Sequence, residues 1–326
     1  MDLSRRGFVQ RMSIAAAAGG LSARSLLAST FTDALGQDDL FALLLGSIQD
    51  AGLPQAGCYT ELCESARAEG AETRFVTSLA LVEPNAERFY LVDASPDLPR
   101  QMDLIPGESF RARAAQRRPF DGIFLTHAHI GHYLGLAHLG REGLGTAPTH
   151  CYCTDRMASF LESNGPWSLL VEEGRLVLQR LVPNVWTRID EHLEAKAIPV
   201  PHRDEYSDTV GFVFRGPTRE MLYLPDIDGW EKMQPSIESV VREVDVALLD
   251  GTFYTAAELP GRRQEDISHP LIPSTMNRLE SLAAETEIAF IHLNNTNRAL
   301  TIGGPEALEI ARRGFHLPRK GQRYAL

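Results

Sequence analysis

The chain has 326 residues, 44% hydrophobic and 23% charged, enough to bury a sizeable core in one large domain or two small ones. Its 43 Asp and Glu outnumber 32 Lys and Arg, for a formal net charge of −11. That balance argues against nucleic acid or an anionic membrane surface as a partner, since both demand a basic face, but it does not identify the substrate, which is expected to be a small molecule.

At the start, Ser4-Arg5-Arg6-Gly7-Phe8 resembles a twin-arginine export signal. A weakly apolar stretch (12–28) and a cleavage-like Ala34-Leu35-Gly36 follow it. Residues 1–36 are therefore read as a removable signal, 37–326 as the mature domain, and the periplasm as its destination. No later segment has the ~18 uninterrupted apolar residues of a membrane span. In an oxidising compartment the four cysteines can pair. Cys151 and Cys153 stand two apart on one face of a strand-like segment and are poorly placed to bond each other. Cys58 and Cys63 lie in a Gly/Pro-rich loop suited either to a disulfide or to a structural zinc.

Residues 40–46 read as an apolar strand. Residues 75–82 and 89–92 form a hairpin around Glu83-Pro84-Asn85-Ala86, and the second run exits at Asp93. A polar helical segment (98–118) leads to the apolar run Gly122-Ile123-Phe124-Leu125. Next comes the stretch that carries the chemistry, Thr126-His127-Ala128-His129-Ile130-Gly131-His132. A helix is expected over 133–144, with Leu134, Ala137, His138 and Leu144 near one face and His138 merely packed or capping. A strand (149–153) and a helix (155–161) come after it. Strands 176–182 and 193–200 follow, the second ending at His202. Strands 210–214 and 221–224 lead to Asp226, strand 244–249 to Asp250, and strand 288–291 to His292.

Neutral imidazole is the commonest biological metal ligand, because one ring nitrogen can bind the ion while a neighbour holds the other. Three histidines at i, i+2 and i+5 beside a strand end are hard to explain by packing. In layered α/β proteins strand ends of one edge converge, so His127, His129, His132, His202, Asp226 and His292 can meet although they are far apart in sequence.

These motifs, in this order, resemble the metallo-β-lactamase superfamily, and the chain is identified as a member of it. The resemblance implies an α/β fold, the αββα metallo-β-lactamase sandwich, with two mixed β-sheets flanked by helices. It matches His127-x-His129-x-Gly131-His132 to the family's H-x-H-x-D-H signature. It implies a first metal position of His127, His129 and His202, with Asp226 bridging to a second of His132, Asp226 and His292. Asp93 matches the acid that braces the site. Asp226 and His132 are the expected catalytic residues, and zinc the expected metal, as one ion with a second to be weighed. Asp228 competes with Asp226 for the bridge, and Asp226 is preferred as the first acid after the strand.

Within the superfamily the chain looks most like the pyrroloquinoline quinone biosynthesis B branch, through Leu45-Gly46-Ser47, Pro54-Gln55, Asp93-Ala94-Ser95-Pro96-Asp97 and His292-Leu293-Asn294-Asn295-Thr296-Asn297. That branch has D-x-E-x-D-H where this chain keeps both early histidines and lacks the Asp. Its C-x-C-x-x-C loop is matched only by its outer pair, Cys58 and Cys63, with Thr60 in the middle, which favours a disulfide over a zinc.

Losing the acid at Gly131 is expected to weaken the second position, so that Gly131→Asp would raise metal content towards two. The first reading is a hydrolase that uses metal-bound hydroxide on an ester, amide, lactone or phosphodiester. The alternatives are an iron-dependent oxygenase built on His132, His292 and Asp226, and a periplasmic carrier of a quinone or its precursor. Arg203, Tyr206 and His269 are candidate pocket residues. Asn294 and Asn295 are candidates to orient His292 or to hold substrate.

Overall fold

The computed structural model describes residues 40–259, 261 and 268–326. The export segment read at residues 1–36 lies outside them. Two β-sheets stack face to face. The first runs β13-β1-β2-β3-β4-β5-β6 and the second β12-β11-β10-β9-β8-β7. The strands are β1 (Phe41–Gly46), β2 (Ser78–Glu83), β3 (Arg88–Val92), β4 (Gly122–Phe124), β5 (Thr149–Cys153), β6 (Leu176–Arg180), β7 (Thr187–Arg188), β8 (Glu194–Pro199), β9 (Val210–Arg215), β10 (Glu220–Leu224), β11 (Val246–Asp250), β12 (Glu287–Ile291) and β13 (Arg323–Ala325).

Side-chain alternation decides which face meets which layer. Leu79 and Leu81, Tyr90 and Val92, and Phe124 point between the sheets. There they meet Phe212 and Phe214, Tyr223, Leu248 and Ile291. The other face of the second sheet presents Val213, Leu222, Leu224, Ala247, Leu249, Ile288 and Phe290. Helices Ile237–Arg242, Ile272–Leu279 and Pro305–Arg312 cover it with Ile237, Val240, Met276, Leu279 and Ile310. Helices Glu108–Ala115 and Asp155–Ser163 bury Phe110, Met157 and Leu161. Phe110 packs edge-on to Phe89 of β3 at 5.1 Å. The result is the αββα sandwich, with both sheets mixed.

Strand direction is what serves the site. β1 and β3 are each antiparallel to β2, and β3 is parallel to β4. β8 and β10 are each antiparallel to β9, and β10, β11 and β12 are mutually parallel. Within each sheet, then, the strands that lead to Asp50, Asp93 and His127, or to His202, Asp226, Asp250 and His292, all run one way. Their C-terminal ends share one rim.

Two expected elements break up. The segment 98–118 is two helices, Leu98–Met102 and Glu108–Ala115, separated at Pro106-Gly107, where Gly107 takes φ +100°. The helix expected over 133–144 is a short turn, Ile130–Tyr133, running into a 3-10 turn, Leu134–Leu139. Leu134, Ala137 and His138 are exposed there. Gly135 presses against the backbone of Ser95, whose carbonyl oxygen would lie 2.2 Å from an added Cβ, and this contact fixes the chain's path instead.

Phe124 is central to the packing between the sheets, with ring centroids 4.7 Å from Tyr152, 5.1 Å from Phe214 and 5.5 Å from Phe212. Phe124→Ala is expected to cost about 3–5 kcal/mol of stability, read as a lowered midpoint in chemical unfolding.

Candidate metal centre

The apolar strand β4 ends at Phe124, and the chain then turns outward with its histidines. His127 Nε2 lies 2.9 Å from His129 Nδ1, which lies 3.2 Å from His202 Nε2. The far nitrogen of each ring has its own partner. Thr126 Oγ1 is 3.0 Å from His127 Nδ1, Glu205 Oε2 is 3.3 Å from His129 Nε2, and Asp228 Oδ1 is 2.9 Å from His202 Nδ1. Three imidazoles thus turn one nitrogen each towards a common point, with an orienting neighbour behind.

Asp226 follows β10 through Pro225 and stands between this group and a second one. Its Oδ1 is 3.7 Å from His202 Nε2, and its Oδ2 is 3.5 Å from His127 Nε2, 3.0 Å from His132 Nε2 and 3.2 Å from His292 Nε2. His132 Nδ1 is held at 2.7 Å by Asp93 Oδ2, and His292 Nδ1 at 3.0 Å by Thr252 Oγ1. Asp93 itself is fixed by the Thr126 amide and hydroxyl, at 2.9 and 3.0 Å, and by Tyr223 Oη at 3.2 Å. Asp93 and His292 both sit at positive φ, +62° and +61°. Such strained exits from a strand persist only where the surroundings over-determine them.

A carboxylate that sequence reading missed completes the second group. Asp50, in the loop after β1, puts Oδ1 3.2 Å from both His132 Nε2 and His292 Nε2. Its loop is stitched into the rim. Ile48 bridges Val76 and Leu293, the Gln49 amide donates to Leu293 O, and the Gln49 and Asn294 side chains bond each other. A Cβ on Gly131 would lie 2.2 Å from Asp50 Oδ1. The expected gain from Gly131→Asp is therefore corrected, because the space that side chain would enter is already filled by an acid.

The electrostatics follow from burial and crowding. Burial and the charge on His132 push His127 well below its ordinary range, leaving it neutral and able to donate a lone pair. Burial would also depress His132, but Asp93, Asp226 and Asp50 outweigh it and raise that ring well above its usual value. Burial would raise Asp226, yet His292, His132 and His127 hold it well below the usual carboxylate range. Even so, His132 Nε2 and Asp226 Oδ2 are buried atoms with no hydrogen bond, although only 3.0 Å apart. Two polar atoms in contact but out of line with each other, aimed at one point, suit a shared cation better than a mutual bond.

The remaining candidates divide. His269 lies in the site. Its Nδ1 is 2.7 Å from Asp250 Oδ2, and its ring is 5.6 Å from His202 and 6.0 Å from His292. Burial pulls His269 down, but Asp250 overcomes it and raises the ring to about 9. Asp250, His269 and His292 could also hold an ion, but the Asp250 oxygens already accept from Thr252, Ile227 and His269, so the group acts as a brace. Arg203 and Tyr206 are exposed on the loop whose Glu205 meets His129, Arg203 paired with Glu205 at 3.5 Å and the Tyr206 ring 5.7 Å from Phe160.

Asn294 and Asn295 do not orient His292 and are corrected. Asn294 bonds Gln49 and accepts from Thr296, while Asn295 donates to the sulfurs of Cys58 and Cys63 at 3.2 and 3.5 Å. Thr252 does the orienting. Cys58 and Cys63 form a disulfide with Cα atoms 6.1 Å apart, and Cys151 and Cys153 are free and buried. A cavity of about 380 Å³, lined by Arg74, Phe75, Ile302 and Lys320 among others, lies apart from the histidines, none of which lines it apart from His316 near the C-terminus. Among the described residues no helix is long and apolar enough to cross a membrane.

Histidines and carboxylates gathered at one rim of an αββα sandwich define a class. A family described as "Beta-lactamase superfamily domain" matches residues 88–293, and the chain belongs to that superfamily. Similarity then extends over nearly the whole of particular relatives. Coenzyme PQQ synthesis protein B of Cupriavidus taiwanensis is 29% identical over 309 residues, 87% of this chain and 98% of that protein. The protein of the same name from Methylobacterium radiotolerans is 26% identical over 305 residues, 86% and 97%. Among solved structures, Zn²⁺-bound PqqB from Methylobacterium extorquens superposes with a TM-score of 0.73 at 22% identity, covering 88% of this chain and all of that one. A diphosphatase of the PhnP family superposes with a TM-score of 0.62 at 18% identity, covering 88% and 97%. Among the described residues, His127, His129 and His202, and Asp50, His132, Asp226 and His292, form two groups that could each hold a metal ion.

Asp93 touches no candidate metal position, yet it sets the ring of His132. Asp93→Asn is expected to weaken metal binding about 10–100-fold with the fold retained, measured by competition against a chelator of known affinity.

Proposed function

We propose that this protein is a metal-dependent hydrolase of a small molecule carrying an ester, amide, lactone or phosphodiester bond. One observation carries the reading. His127 Nε2, His129 Nδ1 and His202 Nε2 converge beside the buried Asp226, at a surface formed by half-buried His129 and the exposed residues 203–206. A zinc ion there would supply Lewis acidity and a water that ionises near neutral pH. The protein's own groups would do the rest. Asp226, with one oxygen towards each group, can accept a hydrogen bond from the attacking water and so orient it. His132, clamped by Asp93, keeps Asp226 ionised and in place. His269 and Arg203 bring positive charge to the rim, where negative charge develops on the substrate.

The oxygenase reading takes His132, His292 and Asp226 as a complete set of two imidazoles and one carboxylate. Asp50 beside them, and three more imidazoles across Asp226, make that set part of a larger one suited to adjacent cations. A carrier has no need of orphaned ligand atoms at the rim. The similarity to coenzyme PQQ synthesis protein B supports a substrate from quinone-cofactor chemistry.

Protein purified from its native compartment is expected to carry zinc and to turn over a chromogenic ester or phosphodiester equally with and without oxygen. His129→Ala is expected to hold less than half the metal and to lose turnover. Iron content with strictly oxygen-dependent turnover would overturn the hydrolase reading. We also place the protein in the periplasm, on the Arg5-Arg6 motif. Arg5→Lys with Arg6→Lys is expected to strand it in the cytoplasm on fractionation, and undiminished periplasmic recovery would reject that placement.

A further inference from the structure

We infer that Asp50 is the carboxylate ligand of a second cation position, supplied by the loop after β1 in place of the acid that the histidine motif lacks at Gly131. The inference rests on the metal-dependent reading above.

The space at Gly131 argues for it first. An added Cβ would lie 2.2 Å from Asp50 Oδ1 and 2.8 Å from both Cα and Cγ of Asp50. The second of these atoms is backbone, so the clash cannot be relieved by turning a flexible side chain. Glycine at 131 is thus what admits Asp50 to the rim, and two acids cannot share the place. The missing residue and the unexpected one are two halves of a single substitution.

Donor geometry points the same way. One atom each of Asp50, His132, Asp226 and His292 fall within 4.8 Å of one another. Asp50 Oδ1 is 3.2 Å from both ring nitrogens and Asp226 Oδ2 is 3.0 and 3.2 Å from them, within the roughly 4 Å that ligands about 2.0–2.2 Å from one zinc ion can span. The bland alternative is that Asp50 merely pairs with the two imidazoles, and its Oδ1 does meet His292 Nε2 at hydrogen-bond distance, 3.2 Å. That bond accounts for His292 alone: His132 Nε2 stays buried without a hydrogen bond, with Asp226 Oδ2 equally orphaned beside it. Two carboxylates facing two imidazoles also match the charge of a divalent cation. The Ile48 bridges and the Gln49–Asn294 contact hold the loop in place, so Asp50 need not be drawn in by the ion.

The test counts ions. Metal-free full-length protein is titrated with Zn²⁺ or Co²⁺, the ions per chain are read by native mass spectrometry, and Co²⁺ absorption reports the coordination. Wild type is expected to take two ions. Asp50→Ala and the near-isosteric Asp50→Asn are expected to take one, with second-ion affinity lowered about 100-fold or more. Gly131→Asp, alone or combined with Asp50→Ala, is not expected to gain an ion, because Cα of residue 50 still stands 2.8 Å from the new Cβ. Thermal melts of the metal-free variants check that each is folded. Two ions bound unchanged by folded Asp50→Asn overturn the inference, as does wild type that takes only one. In either case His129→Ala still tests the first position and the hydrolase reading separately. Wild type that takes none removes both.

Discussion

A carboxylate taken out of water must meet positive charge or well-aligned donors, and here that demand is concentrated on Asp226. The residue is 3% exposed, and the three rings nearest its Oδ2 are at most 1% exposed in their side chains. The rest of the rim can be understood as the arrangement that makes such a burial tolerable. Strands of both sheets deliver imidazoles to it from two sides. Each imidazole is in turn kept from rotating by a partner on its far nitrogen.

Those partners are not equivalent. His129, His132 and His202 are backed by the carboxylates Glu205, Asp93 and Asp228, whereas His127 and His292 are backed by the hydroxyls of Thr126 and Thr252. A carboxylate behind an imidazole makes it a more basic donor. Each group around Asp226 therefore mixes strong and ordinary donors. Glu205 is the outlier, being exposed on a surface loop while every other partner is buried or half-buried. The ring of His129 is consequently the one most directly tied to whatever approaches from solvent.

Much of this was legible in the sequence because the signals were local. The fully buried β4 reads as an uninterrupted apolar run, and His127, His129 and His132 follow within a single turn. Asp226 and His292 come straight after similar runs, and Asp93 closes a hairpin. The double-layered fold follows from alternation along β2, β3, β9 and β10. What escaped was non-local. Asp50 sits in a loop with the turn-forming Gly52 and Pro54, where an acid is unremarkable, and its role exists only beside Gly131, 81 positions on. The gap in the histidine motif was itself the available clue, for a lost acid invites a search for its replacement. Asn294 and Asn295 were misjudged for a related reason. They adjoin His292 in sequence, but their side chains bond elsewhere, to Gln49 and to the disulfide.

The contact between Asp50 and His292 spans 242 positions and closes the rim from opposite ends of the domain. During synthesis the polypeptide presents Asp50 early and the β12 exit almost last, so a half-made chain exposes acids and imidazoles that have no fixed geometry. The first group, His127, His129 and His202 with Asp226, is complete in sequence well before His292, whereas the group around Asp50 closes only when β12 has been made.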